Sequence, residues 1–170
     1  MIEEHDHEYR NGIGTDIHRV VEGRKLMLGG IEIPCEFGLI GHSDGDVAIH
    51  AVIDALLGAA CLGDIGTFFP DTDEKWKGAD SKGLLVDVKK MLEENRWVIV
   101  NVDLVLHLEK PRLESVKAQV KRGIASLLGI DFNAMNVKAK TNEGFGAISA
   151  GKAIAATAIV LLKRKYKRTL

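Results

Sequence analysis

The 170-residue sequence has two cysteines, three prolines and few aromatic residues, which make up 5% of it. Cys35 and Cys61 are far apart and form no Cys-x-x-Cys pair, so they read as reduced, buried small residues. Charge of one sign is also missing: 23 basic residues face 24 acidic ones, for a net charge of −1. No global basic field therefore argues for nucleic acid or an anionic membrane as a partner. No run reaches the ~18 apolar residues that a membrane span needs. The first residues, Met1-Ile2-Glu3-Glu4-His5-Asp6-His7-Glu8, have neither a basic start nor an apolar stretch, unlike a secretory signal. A soluble, cytoplasmic protein is the expectation.

Apolar residues supply 46% of the chain, enough for a core, and the length suits one domain. That domain is expected over 11–166, after a polar, frayed extension at 1–10 and before a basic tail at 167–170. The basic stretch from Lys163 to Arg168 reads as a solvated helix end. From Gly12 to Val21 the pattern is strand-like. Residues 25–28, then Gly29-Gly30, then Ile31-Glu32-Ile33 read as a hairpin closed by Pro34. Val47 to Leu62 is nearly all apolar, the mark of a buried helix, with Gly63 as its stop. Residues 63–80 form a long, turn-rich loop of the kind that often carries function.

Further on, a helix is expected from Lys82 to Glu94, capped by Asp80 or Ser81. Trp97 to Leu108 alternates as a strand, with Val98, Val100, Val102, Leu104 and Leu106 on one side. Pro111 is expected to open a third helix ending at Leu128-Gly129. Asn136 to Thr141 reads as a short strand, and Gly151 to Tyr166 as a final helix. The order suggests an α+β (α/β-like) fold, a small mixed β-sheet with helices packed on one face.

Asp16 and His18 stand two apart, which on a strand puts both side chains on one face. His50 lies inside the apolar helix, where two ring nitrogens need partners and little water is present. One carboxylate and two imidazoles make a three-ligand set that zinc accepts with its fourth position open, as in catalytic sites. Iron, manganese or cobalt would suit the same donors. Asp46, His50 and Asp54 recur every four residues and so line one stripe of that helix. Asp54 is expected to act as a supporting acceptor for His50, with Asp46 either beside it or simply capping the helix.

Glu143, in Lys140-Thr141-Asn142-Glu143-Gly144, suits Mg²⁺, although the segment also reads as a plain polar turn. Lys138, Lys140 and Arg112 offer cations for phosphate. His5 and His7 have ligand-like spacing but fall in the extension. These residues leave open a metal-dependent phosphohydrolase or phosphotransferase, and a non-catalytic metal or nucleotide module.

Five motifs narrow the choice. They are Gly14-Thr15-Asp16-Ile17-His18, the segment from His42 to His50, Asp54 to Ala60, Leu62 to Gly66, and Phe69-Pro70-Asp71-Thr72-Asp73. In order and spacing they resemble the 2-C-methyl-D-erythritol 2,4-cyclodiphosphate synthase family, from about Asn11 to Lys163. The resemblance implies a homotrimer with active sites between subunits. It implies Zn²⁺ on Asp16, His18 and His50, and Mg²⁺ or Mn²⁺ on Glu143 with the substrate diphosphate. His42 and Ser43 would touch the substrate phosphates; Asp64, Ile65 and Gly66 would hold the methylerythritol part, with Phe69, Pro70 and Asp71 alongside. Lys110, Pro111, Arg112 and Leu113, with Ala139, Lys140, Thr141 and Asn142, would cradle the cytidine diphosphate from the neighbouring subunit. The implied reaction closes 4-diphosphocytidyl-2-C-methyl-D-erythritol 2-phosphate to the cyclic diphosphate and releases CMP. Arg112, Lys140 and the stretch 147–152 depart from that family's usual pattern.

Overall fold

A computed structural model describes residues 7–165 of the chain. It is built on a five-stranded mixed sheet in the order β4-β1-β7-β5-β6. The strands are β1 (His7–Glu22), β4 (Phe37–Leu39), β5 (Val98–His107), β6 (Met135–Lys140) and β7 (Ala153–Lys165). Only β5 and β6 run parallel. A separate hairpin joins β2 (Leu26–Leu28) to β3 (Ile31–Ile33), and Gly29 and Gly30 at its turn have positive φ.

Helix α1 (Val47–Ala60) packs across β1 and β7, with α3 (Ser81–Glu94) against it and α4 (Lys117–Leu128) against β6. Two short helices, α2 (Ile65–Phe68) and α5 (Gly146–Ser149), sit in the loops after α1 and β6. Every α1 residue except Asp54 and Gly58 is buried, as the unbroken apolar run required. Strand residues alternate accordingly. Val102, Leu104, Leu106, Ala156, Ala158 and Val160 are buried under the helices, while Ile13, Ile17 and Ile159 on the other face are 65%, 58% and 50% exposed.

Helix α1 lies unusually close to β1. A Cβ added at Gly12 would fall 2.1 Å from the Ala55 carbonyl oxygen, and one at Gly14 2.1 Å from that of Ala51. The two glycines and the alanines facing them let backbone meet backbone.

Four features differ from expectation. The segment 153–165 is a central strand, not the expected final helix. Its alanines favour a helix locally, but its buried residues recur at every second position, and pairing on both edges overrides propensity. Residues 7–10 are not frayed; they pair with 162–165. Glu8 accepts from Arg10 and Arg164, and both guanidinium groups lie over the buried Trp97 ring, at 5.0 and 4.2 Å. Pro111 does not open α4. A separate turn at the Leu113 carbonyl precedes the helix, which starts at Lys117. Cys61, the left-handed residue that ends α1, is exposed, and Cys35 is only half-buried. His5 and the tail at 167–170 lie outside the described residues. Among the described residues, no helix is long and apolar enough to cross a membrane.

Replacing Gly14 with alanine should destabilise the protein by about 3 kcal/mol, because the new methyl group meets backbone that cannot rotate away. Gly83→Ala, in open space on α3, should instead be neutral or stabilise by up to ~1 kcal/mol. Urea unfolding of the two variants checks both; equal midpoints would mean the β1–α1 approach is not tight.

Candidate functional site

The close approach of β1 and α1 sets the site. Asp16 and His18 point from β1 toward α1, and His50 meets them from the helix. Asp16 Oδ2 lies 2.8 Å from His50 Nδ1 and 3.1 Å from His18 Nε2, and the two ring nitrogens are 3.3 Å apart. Among the described residues these are the His, Cys, Asp and Glu side chains that converge as a possible metal site. The sequence spacing had singled out the same three. The arrangement can hold one cation with a face open to the cavity.

Electrostatics follow from the same contacts. Burial opposes the Asp16 charge, yet hydrogen bonds from His18 and His50 outweigh it and hold the carboxyl well below the usual carboxylate range. Burial also opposes charge on His50, and the Asp16 carboxylate reverses this, raising the imidazole above its ordinary value.

The expected supporting role of Asp54 is not what the fold uses. Asp54 Oδ1 accepts from the Ile65 backbone N–H at 2.8 Å, tying α2 to α1. His50 Nε2 instead meets Ser81 Oγ at 2.9 Å and Ser43 Oγ at 3.0 Å. Asp46 is the N-cap of α1, completely buried, and its carboxylate accepts from the N–H groups of Ile49, Gly29 and Gly30. It fastens the hairpin turn to the helix rather than touching the His50 ring. Burial pushes its carboxyl upward, partly offset by those three donors.

A cavity of about 420 Å³ opens over the three converging side chains. His42, Ser43, Asp54, Ile65, Gly66, Phe69, Pro70 and Asp71 line it, so the residues expected to touch the substrate phosphates and, apart from Asp64, the methylerythritol part share one space with Asp16, His18 and His50. Thr15, Trp76 and Leu84 line it too, and were not foreseen. Trp76 stacks edge-on against Phe69, with centroids 5.0 Å apart, forming an apolar wall. Asp64 is an exception: it caps α2, and its carboxylate turns back to the Thr67 N–H and hydroxyl.

The second expected group lies elsewhere. Lys110, Pro111 and Arg112 line a different hollow of about 710 Å³ with Cys35, Glu36, Phe37, Glu109 and Ser149. Leu113 is buried in the core, whereas Ala139 and Lys140 are exposed at the end of β6. The Asn142 N–H and the Ser149 hydroxyl both donate to Glu109, which pins the 141–149 loop to that hollow. Glu143, in the left-handed region at φ 50°, accepts from the Thr141 hydroxyl and stands apart from the Asp16 cluster.

Comparison with known proteins gives this geometry a family. The YgbB family model matches residues 9–163. The chain belongs to the YgbB family. One family relative, the 2-C-methyl-D-erythritol 2,4-cyclodiphosphate synthase of Alkaliphilus metalliredigens (strain QYMF), is 53% identical over 151 residues, covering 89% of this chain and 95% of that protein. The synthase of Chloroherpeton thalassium (strain ATCC 35110 / GB-78) is 52% identical, over 91% of this chain and 99% of its own. A solved 2C-methyl-D-erythritol-2,4-cyclodiphosphate synthase in its CDP-bound form superposes with a TM-score of 0.83 at 39% identity, covering 90% of this chain and 99% of that one. The bifunctional IspDF of Campylobacter jejuni matches with a TM-score of 0.90 at 40% identity over 94% of this chain, which spans only 43% of that longer protein.

Within this YgbB-family fold, the residues that sequence reasoning missed are Thr15, Trp76 and Leu84 on the cavity wall and Ser81 behind His50, whose hydroxyl donates to Asp44. Ser81 has a helix-start signature and nothing more; only the folding of α3 against α1 shows that its hydroxyl reaches His50.

The Asp16–His50 pair should leave a pH signature in the metal-free protein. Asp16, lowered by folding, stabilises above its unfolded pKa of about 3.9, and this is lost as pH falls through the lower folded value. His50, raised by folding, stabilises below about 6.5, and this is lost as pH rises through the higher folded value. The pair's contribution should therefore be greatest between about pH 4 and 6.5. Chemical unfolding of wild type and Asp16→Asn in the presence of a chelator tests this: their stability difference should shrink from pH 5.5 to pH 9. A constant difference would contradict the coupling. Separately, Asp46→Ala should cost about 3 kcal/mol in the same assay, through the lost cap and the stranded turn N–H groups.

Proposed function

We propose that the chain carries the activity of its relatives, closing 4-diphosphocytidyl-2-C-methyl-D-erythritol 2-phosphate to 2-C-methyl-D-erythritol 2,4-cyclodiphosphate with release of CMP. In this step an oxygen of the 2-phosphate attacks the β-phosphorus of the diphosphate. The bond from that phosphorus to the oxygen bridging it to the α-phosphate breaks, and CMP leaves with the electron pair. The nucleophile is already an anion, so no protein base is required. The observation that carries the reading is the convergence of Asp16, His18 and His50 at one cavity with Ser43, Gly66 and Phe69.

The donor set fits Zn²⁺. Ligands about 2.0–2.1 Å from a tetrahedral zinc stand about 3.3 Å apart, and the three separations here are 2.8, 3.1 and 3.3 Å. When bound, the ion would neutralise phosphate charge and leave one coordination position for a phosphate oxygen. Ser43 lines the cavity, and in this reading it and His42 present donors to the substrate phosphates. Ile65, Gly66, Phe69, Pro70 and Asp71 hold the methylerythritol portion and exclude water, with Asp64 shaping the turn that carries them. Glu143, in the loop after β6, is the candidate for Mg²⁺ or Mn²⁺ on the diphosphate.

The cytidine diphosphate would lie against Lys110 to Leu113 and Ala139 to Asn142. Those segments do not open into the metal cavity of the same chain, which supports a site completed by a neighbouring subunit. The open sheet face, with Ile13 opposite Ile159 and Ile17 nearby, supplies an apolar surface for a homotrimer. The two free cysteines are in keeping with a cytoplasmic setting.

Incubation with the phosphorylated cytidine substrate should yield CMP and a cyclic product; release of inorganic phosphate would point instead to a hydrolase. Glu143→Gln should raise the Mg²⁺ requirement with zinc content unchanged, and a parallel loss of zinc would put Glu143 in the wrong role. Light scattering should give the mass of three chains for wild type and a smaller species for the Ile13→Glu, Ile159→Glu double variant. An unchanged mass in the double variant would place the interface on another surface.

A further inference from the structure

Strands β5 and β6 stay paired as far as His107 and Lys140, and the Leu108 N–H still donates to the Lys140 carbonyl oxygen at 3.0 Å. Past that bond the two segments diverge, and the Glu109 side chain bridges them. Its Oε1 accepts from the Asn142 N–H at 3.1 Å and from the Ser149 hydroxyl at 2.9 Å. Ser149 Oγ in turn accepts from the Gly144 N–H at 3.0 Å. The polarity of this chain of bonds is fixed, because a carboxylate accepts and a backbone N–H only donates. The amides on either side of Glu143 are thus held through one carboxylate oxygen. Glu143 has φ 50° and Gly144 φ 89°, and the Phe145 N–H closes the turn on the Asn142 carbonyl oxygen at 2.9 Å. A left-handed residue with a side chain persists where its surroundings hold it.

We infer that Glu109 and Ser149 are positioning residues for nucleotide binding: they fix the turn at Asn142–Phe145, and with it Glu143, at a set spacing from the 110–113 segment before any ligand arrives. The inference rests on the reading above, in which 110–113 and 139–142 take the cytidine diphosphate. Glu109 and Ser149 line the same hollow as Lys110, Pro111 and Arg112, so the clamp sits at the wall of that site. Little else orders the turn. Thr141, Glu143, Gly144 and Phe145 are all exposed, Phe145 by 77%, and the first buried side chain after Leu113 and β6 on this loop is Ile148. Gly144 and Gly146 both have positive φ and bring conformational freedom that ordering must remove. Setting the shape during folding takes that entropy loss out of the binding step. The clamp also joins one segment to the other, because its acceptor follows β5 and its donors follow β6.

The test reads loop order and ligand affinity separately. Amide hydrogen exchange is measured on ligand-free wild type, Glu109→Ala, Glu109→Gln and Ser149→Ala, and CDP with Mg²⁺ is then titrated into each by calorimetry. Two lost hydrogen bonds of ordinary strength correspond to about a tenfold change. Exchange at Asn142 and Gly144 should therefore quicken about tenfold in Glu109→Ala, with Val137 in β6 unchanged, and CDP should bind about tenfold more weakly. Glu109→Gln keeps an acceptor oxygen and should restore both readouts. Ser149→Ala should quicken exchange at Gly144, and it decides the matter if Glu109→Ala fails to fold. Unchanged exchange in the alanine variants would overturn the clamp. Faster exchange with wild-type CDP affinity would overturn its role in binding. Wild type that takes up no CDP would overturn the nucleotide reading, while the exchange data still decide whether the clamp exists. A merely structural loss would quicken exchange in β6 as well.

Discussion

The contact on which this molecule depends is between two backbones. Gly12 and Gly14 on β1 face Ala51, Ala55 and Ala59 on α1 with nothing larger than a methyl group between them. Asp16 has a short side chain and would not reach a helix packed at the usual distance over larger residues. Here the helix is close enough for a carboxylate on a strand to meet an imidazole on a helix at hydrogen-bonding distance. The small residues therefore act through geometry: they contribute little apolar area and fix the separation at which the ligands converge. The cost of burying the Asp16 charge is offset because its carboxylate accepts from the Ile17 N–H and lies against both imidazoles.

The same helix carries a stripe of polar residues through the core, and each is satisfied by a different neighbour. Asp46 takes the turn of the β2–β3 hairpin, His50 takes β1 and the start of α3, and Asp54 takes the start of α2. Helix α1 thereby gathers, through polar contacts, the segments that line the cavity. Groups that look like one cluster in the sequence turn out to divide between the candidate metal site and the fastening of loops.

The converging triad of Asp16, His18 and His50 was legible because its signal is local. Asp16 and His18 share a strand face by period, and a histidine in an apolar helix is conspicuous. The hairpin, α1, α3, β5 and β6 were legible for the same reason, since each shows its own periodicity and punctuation. What escaped depends on tertiary contact. The alanines of β7 favour a helix until neighbours on both edges supply hydrogen bonds. Residues 7–10 are a strand because 162–165 pair with them, with Glu8 and Arg10 held by Arg164 and Trp97. Asp54 and Ser81 exchanged roles for a similar reason: position on a helix predicts which side chains share a stripe, not which loop comes to meet them.

The placement of β7 has a kinetic meaning. It is wedged between β1 and β5, so among the described residues the half of the sheet bearing Asp16 is hydrogen-bonded to the half bearing the 139–142 segment only by way of it. Its partners in β1 begin at His7, which pairs with Lys165 across almost the whole described sequence. Closing so large a loop delays the reward in contacts until late, which is the signature of slow assembly. Until that closure, β1 and α1 can zip together locally, while the inner edges of both strand groups stay bare and open to pairing with another chain.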